Sequence, residues 1–143
     1  MLVDRLASRL GPEALGSLVP RESHMPERAA RFAPVFTPIA GSWDTRNPRP
    51  IRLLPRPEPV EAVAPVPDDP PILFRWRRLA HRVRRADGPE RIASEWWRGA
   101  EEAAELRDYY RVEDEAGRRF WLFRAGLYRP QVAPRWFLHG LFA

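Results

Sequence analysis

Three kinds of feature are missing from this 143-residue sequence, and each absence excludes a class of protein. There is no cysteine, which excludes disulfide bonds and thiolate metal ligands. No apolar run approaches the roughly 20 residues of a membrane-spanning helix. The N-terminus also lacks the basic-then-apolar layout of a signal peptide. We therefore expect a soluble, cytoplasmic protein.

Lysine is absent as well, so all 24 basic residues are arginine. A GC-rich coding sequence is the simplest explanation, although arginine also makes bidentate contacts to carboxylates and phosphates that lysine cannot make. The charge lies in blocks, with seven arginines against two acids in residues 70–91 and three arginines against eight acids in residues 92–115. A nucleic-acid-binding protein usually has a more one-sided charge. The blocks could therefore neutralise each other within one folded unit.

Proline is abundant but unevenly placed, since 12 of the 17 prolines fall in residues 26–71. Proline lacks an N–H and clashes with the preceding turn, which argues against helix and favours extended or polyproline II backbone. Apolar residues such as Phe36 and Trp43 argue against a purely solvated linker. We predict that residues 31–71 form an extended arm with little regular secondary structure, which docks on a neighbouring surface.

Residues 1–30 have the pattern of a helical segment. Leu2, Leu6 and Leu10 recur at a spacing that places them on one face of a helix. Gly11-Pro12 would end that helix and could begin another, because proline fits the first helical position. We therefore predict helices ahead of the arm.

After the arm, the pattern is typical of strands. "ILFRWRRLAHRV" alternates and then shifts phase, which predicts a bulge near Arg77-Arg78. "ADGPERI" has turn composition, and Ser94 is a suitable N-cap for a helix over the following residues. The sequence then predicts a hairpin with strands at about 108–113 and 118–125. "PRWFLHGLFA" predicts a last short strand or a docking tail.

Together these patterns predict an α+β protein, in which a small antiparallel β-sheet domain follows N-terminal helices and an extended proline-rich arm. The predicted divisions are a helical segment at 1–30, the arm at 31–71 and a mostly-β domain at 72–143.

No pattern of residues indicates an active site. The three histidines stand singly, without metal-ligand spacing. The acidic triplet at 113–115 falls at a predicted hairpin turn, where solvated charge is ordinary, and it lacks the spaced ligands of a calcium loop. There is no Gly-rich phosphate loop or nucleophile elbow. We expect no catalytic residues, no metal and no cofactor.

Arginine and aromatic residues alternate in "FRWRRLAHRVRR". Proteins that bind single-stranded nucleic acids stack aromatic rings on bases and hold phosphates with arginine. The same alternation is typical of a half-buried strand, and the acidic 92–115 block offers these arginines an internal partner. Both interpretations stay open. The candidate nucleic-acid-binding residues are Arg75, Arg77, Arg78, Arg82, Arg84 and Arg85.

Adjacent aromatic residues recur near the C-terminus. On a strand one ring of such a pair points inward and the other outward, so the outward ring needs a cover, either the arm or another protein. Aromatic residues also anchor protein interfaces. In the tail we expect Trp136 in the core. The candidate partner-binding residues are Trp97, Tyr110, Phe123, Phe137, Leu141 and Phe142.

Three stretches, "GPERIASEWWR", "RDYYRVEDEAGRRFWLFRAGLY" and "PRWFLHGLFA", resemble the C-terminal region of ImuB proteins, the Y-family polymerase-like proteins of the bacterial mutasome. The resemblance covers about residues 70–143. Upstream, "LVDRLASRLG" and "ESHMPERA" are similar to the segment that precedes this region in the family. Ser94 departs from the family, which commonly has proline there.

The resemblance implies an adaptor rather than an enzyme. ImuB-like proteins lack the catalytic carboxylates of translesion polymerases and join the sliding clamp, a RecA-like accessory protein (ImuA) and an error-prone C-family polymerase during damage-induced mutagenesis. This chain has no Gln-x-x-Leu-Phe type of clamp-binding peptide, so clamp binding is not carried over. Two roles stay open: a protein-interaction module for ImuA, the polymerase or both, and an appendage that holds single-stranded or primer-template DNA beside the lesion.

Overall fold

A computed structural model of the chain describes residues 1–66, 68–95, 105–127 and 129–143. The described chain divides into two compact units, Met1–Asn47 and Pro48–Ala143.

The first unit contains a helix and a two-stranded sheet. Helix α1 spans Leu2–Leu10 and ends at Gly11, whose φ of 88° no longer fits a helix. Strands β1 (Gly16–Pro20) and β2 (Ala30–Pro34) pair antiparallel. Short 3-10 turns lie at Pro12–Ala14 and Pro26–Arg28, each with proline at its first position. The predicted helix and its end at Gly11-Pro12 are confirmed. The rest of the segment predicted to be helical as far as residue 30 is not helix, because it contains β1 and the two 3-10 turns.

The second unit is a six-stranded antiparallel barrel in which each strand pairs with the next in the chain. Pairing of the first strand with the last closes it. A closed barrel has no free strand edge, so its backbone offers no template for adding another strand. The antiparallel fold preceded by a helical segment, an α+β protein, is confirmed, and the sheet closes on itself. The strands are β3 (Arg52–Val63), β4 (Leu73–Trp76), β5 (Leu79–Ile92), β6 (Arg107–Asp114), β7 (Arg119–Ala125) and β8 (Arg135–Leu141).

One face of each strand fills the barrel, as the two-residue period of a strand requires. Tyr110 points inward and its neighbour Tyr109 points outward, and in β8 Trp136 belongs to the interior cluster. The predicted core position of Trp136 is therefore confirmed. The buried interior cluster consists of Leu54, Phe74, Tyr110, Val112, Phe120, Leu122, Trp136 and Leu138.

The proline-rich arm differs from its prediction. Residues 31–34 belong to β2, and residues 52–63 form β3, a strand of the barrel, so the expectation of little regular structure is wrong at both places. The pairing of β3 with β8 shifts register between Leu53 and Glu58, a stretch that contains Pro55 and Pro57. Irregular pairing tolerates proline because fewer backbone N–H donors are required. The second unit thus begins at Pro48, ahead of the predicted boundary at residue 72.

The bulge predicted near Arg77-Arg78 and the turn predicted in "ADGPERI" also differ from the structure. Arg77-Arg78 is the two-residue turn between β4 and β5 rather than a bulge, and both residues have positive φ, 46° and 68°. Such turns normally carry Asn-Gly or Asp-Gly, so two arginines gave no turn signal. "ADGPERI" lies within β5, where a register shift between Asp87 and Glu90 accommodates Gly88-Pro89.

The predicted hairpin is confirmed, because β6 and β7 pair from Arg107↔Ala125 to Glu113↔Arg119. The Gly117 backbone N–H donates to the Asp114 carbonyl at 3.0 Å and closes the turn. The helix predicted after Ser94 falls largely on residues 96–104, outside the described residues.

Candidate interaction surface

The outer side of β6, β7 and β8 carries a second layer of rings that is covered by the chain itself. The Arg49 guanidinium lies 5.1 Å from the centre of the Trp121 ring, and Arg107 lies 5.1 Å from that of Phe123. Guanidinium groups over ring faces are favourable. These outward rings are therefore not open to a partner. The buried members of the layer are Tyr109, Trp121, Phe123 and His139.

Two of the predicted partner-binding residues lie too deep to contact a partner. Tyr110 is 1% exposed inside the barrel, and its hydroxyl donates to the Asp68 carbonyl at 3.0 Å. Phe123 points outward but is buried against Tyr109 and Phe137. Sequence alternation could not tell an outward ring that the chain covers from one that it leaves open. Trp97, another of the predicted partner-binding residues, lies outside the described residues.

The remaining three candidates, Phe137, Leu141 and Phe142, are half-buried near the C-terminus. Leu141 packs against the interior cluster, and Phe137 stacks on Phe123. The Phe142 N–H donates to the Arg119 carbonyl at 3.0 Å, which ties the end of the chain to β7.

Phe142 lines an open cleft of about 180 Å³ on the outer face of the barrel. Its walls come from β5, β6 and β7 and carry three arginines and two acids. The cleft therefore combines one aromatic side chain with positively and negatively charged side chains that can form hydrogen bonds. The lining residues are Pro48, Arg85, Asp87, Arg111, Val112, Glu113, Arg119 and Phe142.

Buried carboxylates neutralise a first set of arginines. Asp108 binds Arg91 at 2.7 Å and Arg124 at 2.7 Å, and Arg124 also binds Asp68 at 3.0 Å. The Arg124 and Asp108 side chains are only 3% and 2% exposed. The Arg91–Asp108 pair joins the basic 70–91 block to the acidic 92–115 block, as self-complementary charge would predict.

Asp114 holds the β6–β7 turn and corrects the expectation of solvated charge there. Its side chain is 2% exposed and accepts hydrogen bonds from the Ala116 and Arg118 backbone N–H groups. One of its carboxylate oxygens lies 2.8 Å from the Arg118 Nε and 3.0 Å from the His81 Nδ1. Asp114 is thus a buried hydrogen-bond acceptor that holds the turn in place.

These contacts lower the pKa values of both carboxyl groups. The hydrogen bond from Arg91 is the main cause for Asp108 and, with that from Arg124, outweighs burial, which raises its pKa. Burial is the largest influence on the pKa of Asp114 and raises it. Hydrogen bonds from His81 and Arg118 together outweigh that effect, so the pKa of Asp114 is also lowered.

A second set of arginines has no such partners. Four exposed side chains on β4, β5 and the turn between them make no ion pair with any described residue. The other two predicted candidates differ, because Arg77 binds Glu58 at 2.8 Å and Arg85 lies 3.5 Å from Asp87. We call the four unpaired residues the arginine strip: Arg75, Arg78, Arg82 and Arg84.

The aromatic residues between these arginines do not share their surface. Phe74 is 0% exposed inside the barrel, and the Trp76 Nε1 donates to Glu58 at 2.6 Å. The alternation of arginine and aromatic residues therefore arises from a half-buried strand. Phe74 faces the interior and the partly buried Trp76 ring lies under the Arg77 guanidinium, so neither ring is open for a base to stack on.

Exposed apolar residues at the rim of the barrel escaped sequence reasoning. Ile72 seemed to continue the inward alternation of β4, but it precedes the strand and is 54% exposed. Its N–H donates to the Val63 carbonyl at 2.9 Å, and Val63 is also exposed. Only the β3–β4 pairing brings these two residues together, so no local sequence signal could have identified them.

Residues 50–142 match a family model described as Domain of unknown function (DUF6504), and the chain belongs to this family. It is also similar to Protein ImuB from two strains of Caulobacter vibrioides, with 53% identity over 148 residues in each case. The match covers 99% of this chain and 32% of each relative, so the chain spans about a third of their length. The resemblance to ImuB is confirmed. No solved structure matches the chain.

Within the described ranges, no group of three or more His, Cys, Asp or Glu side chains could hold a metal ion. No helix in the same ranges is long and apolar enough to cross a membrane. The expectation that the chain has no catalytic activity stays a prediction.

Proposed function

We propose that the chain is a non-catalytic protein-interaction module of an ImuB-like adaptor, which helps to assemble the error-prone translesion synthesis complex after DNA damage. The similarity to Protein ImuB over 99% of the chain supports this role. The partners that the resemblance implies are an ImuA-like accessory protein of the RecA fold and an error-prone C-family DNA polymerase.

The main observation behind the proposal is the cleft beside Phe142. A closed barrel cannot accept an added strand from a partner, so recognition has to use side chains on its outer face. The cleft offers a half-buried aromatic ring among the charged side chains of Arg85, Arg111 and Glu113. An aromatic anchor within a polar rim is the usual composition of a binding hot spot. We therefore assign the partner segment to this cleft, next to Phe137 and Leu141.

The test is the Phe142→Ala variant of the whole 143-residue chain. Loss of an interface anchor should weaken binding of the ImuA-like protein or the polymerase by about 1–3 kcal/mol, or about 5–150-fold. Isothermal titration calorimetry with each purified partner would measure the change. The melting temperature should change little, because the ring is only half-buried at the chain end.

Phe36→Ala is the matched control, since Phe36 is 70% exposed in the first unit and is not one of the residues that line the cleft. It should bind both partners like the unmodified chain. If Phe142→Ala binds as tightly as Phe36→Ala, or if neither partner binds the unmodified chain, the cleft is not the interaction site.

A second candidate function is a DNA-binding appendage that holds single-stranded or primer-template DNA beside the lesion. The arginine strip favours it, because it presents four unpaired cations on one side of a hairpin. Salt separates the two candidates: binding to phosphates weakens steeply as salt increases, whereas apolar partner binding does not.

A further inference from the structure

The register of the β4–β5 hairpin gathers the arginine strip on one surface. Arg75 lies opposite Ala80, and Leu73 lies opposite Arg82, so Arg75 and Arg82 are diagonal neighbours. Arg84 follows on β5 at a register shift of the β5–β6 pairing between Val83 and Arg85, and its side chain is exposed. The strip therefore presents its four exposed arginines along one hairpin, where a chain of phosphates could contact them.

The turn that carries Arg78 provides a second, independent observation. Both turn residues adopt the left-handed conformation, with φ of 46° and 68°, which is unfavourable for arginine and ordinary for Asn-Gly. The turn is held by Glu58, which accepts hydrogen bonds from the Trp76 Nε1 and from the Arg77 guanidinium. Arg77 also lies 4.6 Å from the Trp76 ring centre. Arg78 remains exposed at the tip.

Backbone strain that the surroundings hold in place is characteristic of functional positions. Asn-Gly would satisfy the backbone of this turn but would not supply a cation. The exposed Arg78 side chain therefore supplies a cation that an Asn-Gly turn would lack.

Some acids near the strip form ion pairs, but Glu61 and Glu115, whose N–H donates to the Arg82 carbonyl at 3.1 Å, form none with any described residue. Glu58 binds Arg77, Asp87 lies beside Arg85, and Glu90 binds Arg49 at 2.5 Å. Glu61 lies opposite Arg75 in the register but forms no ion pair with it. The strip therefore presents a local excess of positive charge although the whole chain has a net charge of only +5.

We propose that the arginine strip binds the phosphate backbone of DNA without reading its base sequence. Guanidinium groups make bidentate hydrogen bonds with phosphate oxygens. The adjacent rings are not open to bases, because Phe74 is buried and Trp76 is covered by Arg77. Single-stranded and duplex DNA offer the same phosphate chemistry. This assignment rests on the second candidate function and is independent of the cleft at Phe142.

The first test measures how binding of the 143-residue chain to fluorescent oligonucleotides depends on salt. Four phosphate contacts predict a slope of log K against log salt of about −3.6 for duplex and about −2.8 for single strands. Between 50 and 200 mM salt, affinity should fall about 150-fold for duplex and about 50-fold for single strands. Two unrelated base sequences should give equal affinities. Undetectable binding at 50 mM salt, or a strong preference for one sequence, would overturn the proposal.

The second test uses matched pairs of substitutions that remove the same charge. Arg82→Gln with Arg84→Gln should make the duplex slope shallower by about 1.8. The control, Arg52→Gln with Arg56→Gln, removes two exposed arginines of β3 that make no ion pair with described residues. The control should leave the slope nearly unchanged. Equal losses from both pairs would mean diffuse charge attraction and would contradict a defined strip.

Two further measurements separate this proposal from protein binding. Polyglutamate should compete poorly with the oligonucleotide. If the strip binds polyglutamate but not DNA, its ligand is an acidic protein segment and the assignment fails. The Phe142→Ala variant should bind DNA normally, so failure of the cleft proposal and failure of the strip proposal give different results.

Discussion

Arginine occurs in two opposite environments in this barrel. Arg124 is 3% exposed and held between Asp108 and Asp68, whereas Arg82 and Arg84 are exposed and have no acidic partner among the described residues. A buried ion pair gains little net stability, but the loss of one partner leaves an uncompensated charge in the interior. An exposed unpaired arginine has little effect on the fold and stays available for a ligand. The surroundings of each arginine, and not its residue type, decide which role it can take.

The largest expected effect comes from removing the carboxylate that Arg91 and Arg124 share. Asp108→Ala should lower the free energy of unfolding by about 3 kcal/mol, because Arg124 would lose its buried partner, whereas Asp68, which it also binds, is 75% exposed. Urea denaturation would measure the change. The control is Asp44→Ala, whose partner Arg46 is 87% exposed, and stability should change little there. Equal effects in the two variants would contradict the distinction between buried and exposed pairs.

Lowering the pH should weaken the hydrogen bonds and ion pairs of Asp108 and Asp114. The pKa values of Asp108 and Asp114 are lower in the folded chain than the value of about 3.9 for an unfolded aspartate. Their contribution to stability is therefore complete above about pH 3.9 and is lost as the pH falls through the folded pKa values. The urea midpoint should decrease between about pH 6 and about pH 2.5, and the decrease should be smaller for Asp108→Asn. A midpoint that does not change over this range would contradict the account.

A smaller effect of opposite sign is expected at the β4–β5 turn. Arg78→Gly should raise the free energy of unfolding by about 1 kcal/mol, because glycine tolerates positive φ and arginine does not. DNA affinity should fall in the same variant. Thermal unfolding and fluorescence anisotropy would measure the two changes. A loss of stability would show that the Arg78 side chain makes a structural contribution.

The smallest effect on stability should come from the strip itself. Replacing any one of its four residues with glutamine should change the free energy of unfolding by no more than about 0.5 kcal/mol. Urea denaturation would measure it beside Asp108→Ala. A loss as large as that of Asp108→Ala would mean that the strip supports the fold and is not reserved for a ligand.

Local signals predicted only part of this structure. The β6–β7 hairpin was predictable because its alternation and its turn lie within one short stretch. Closure of the barrel was not, since it depends on pairing between β3 and β8 at opposite ends of the unit, and prolines obscured β3. The candidate site was likewise only partly predictable from the sequence. All six candidate arginines are exposed, as a nucleic-acid-binding role requires, but the pairing of Arg77 with Glu58 depends on a contact between strands that are distant in sequence.

The most direct test of the two arginine environments is residue-resolved chemical modification. The whole chain would be treated with an arginine-selective dicarbonyl reagent, with and without DNA, and analysed by mass spectrometry. We predict that Arg75, Arg78, Arg82 and Arg84 react rapidly in the free chain and are protected by DNA, while Arg124 reacts slowly in both conditions. If all arginines react alike, or if DNA leaves the strip unprotected, the division between fold-stabilising and ligand-binding arginines is contradicted.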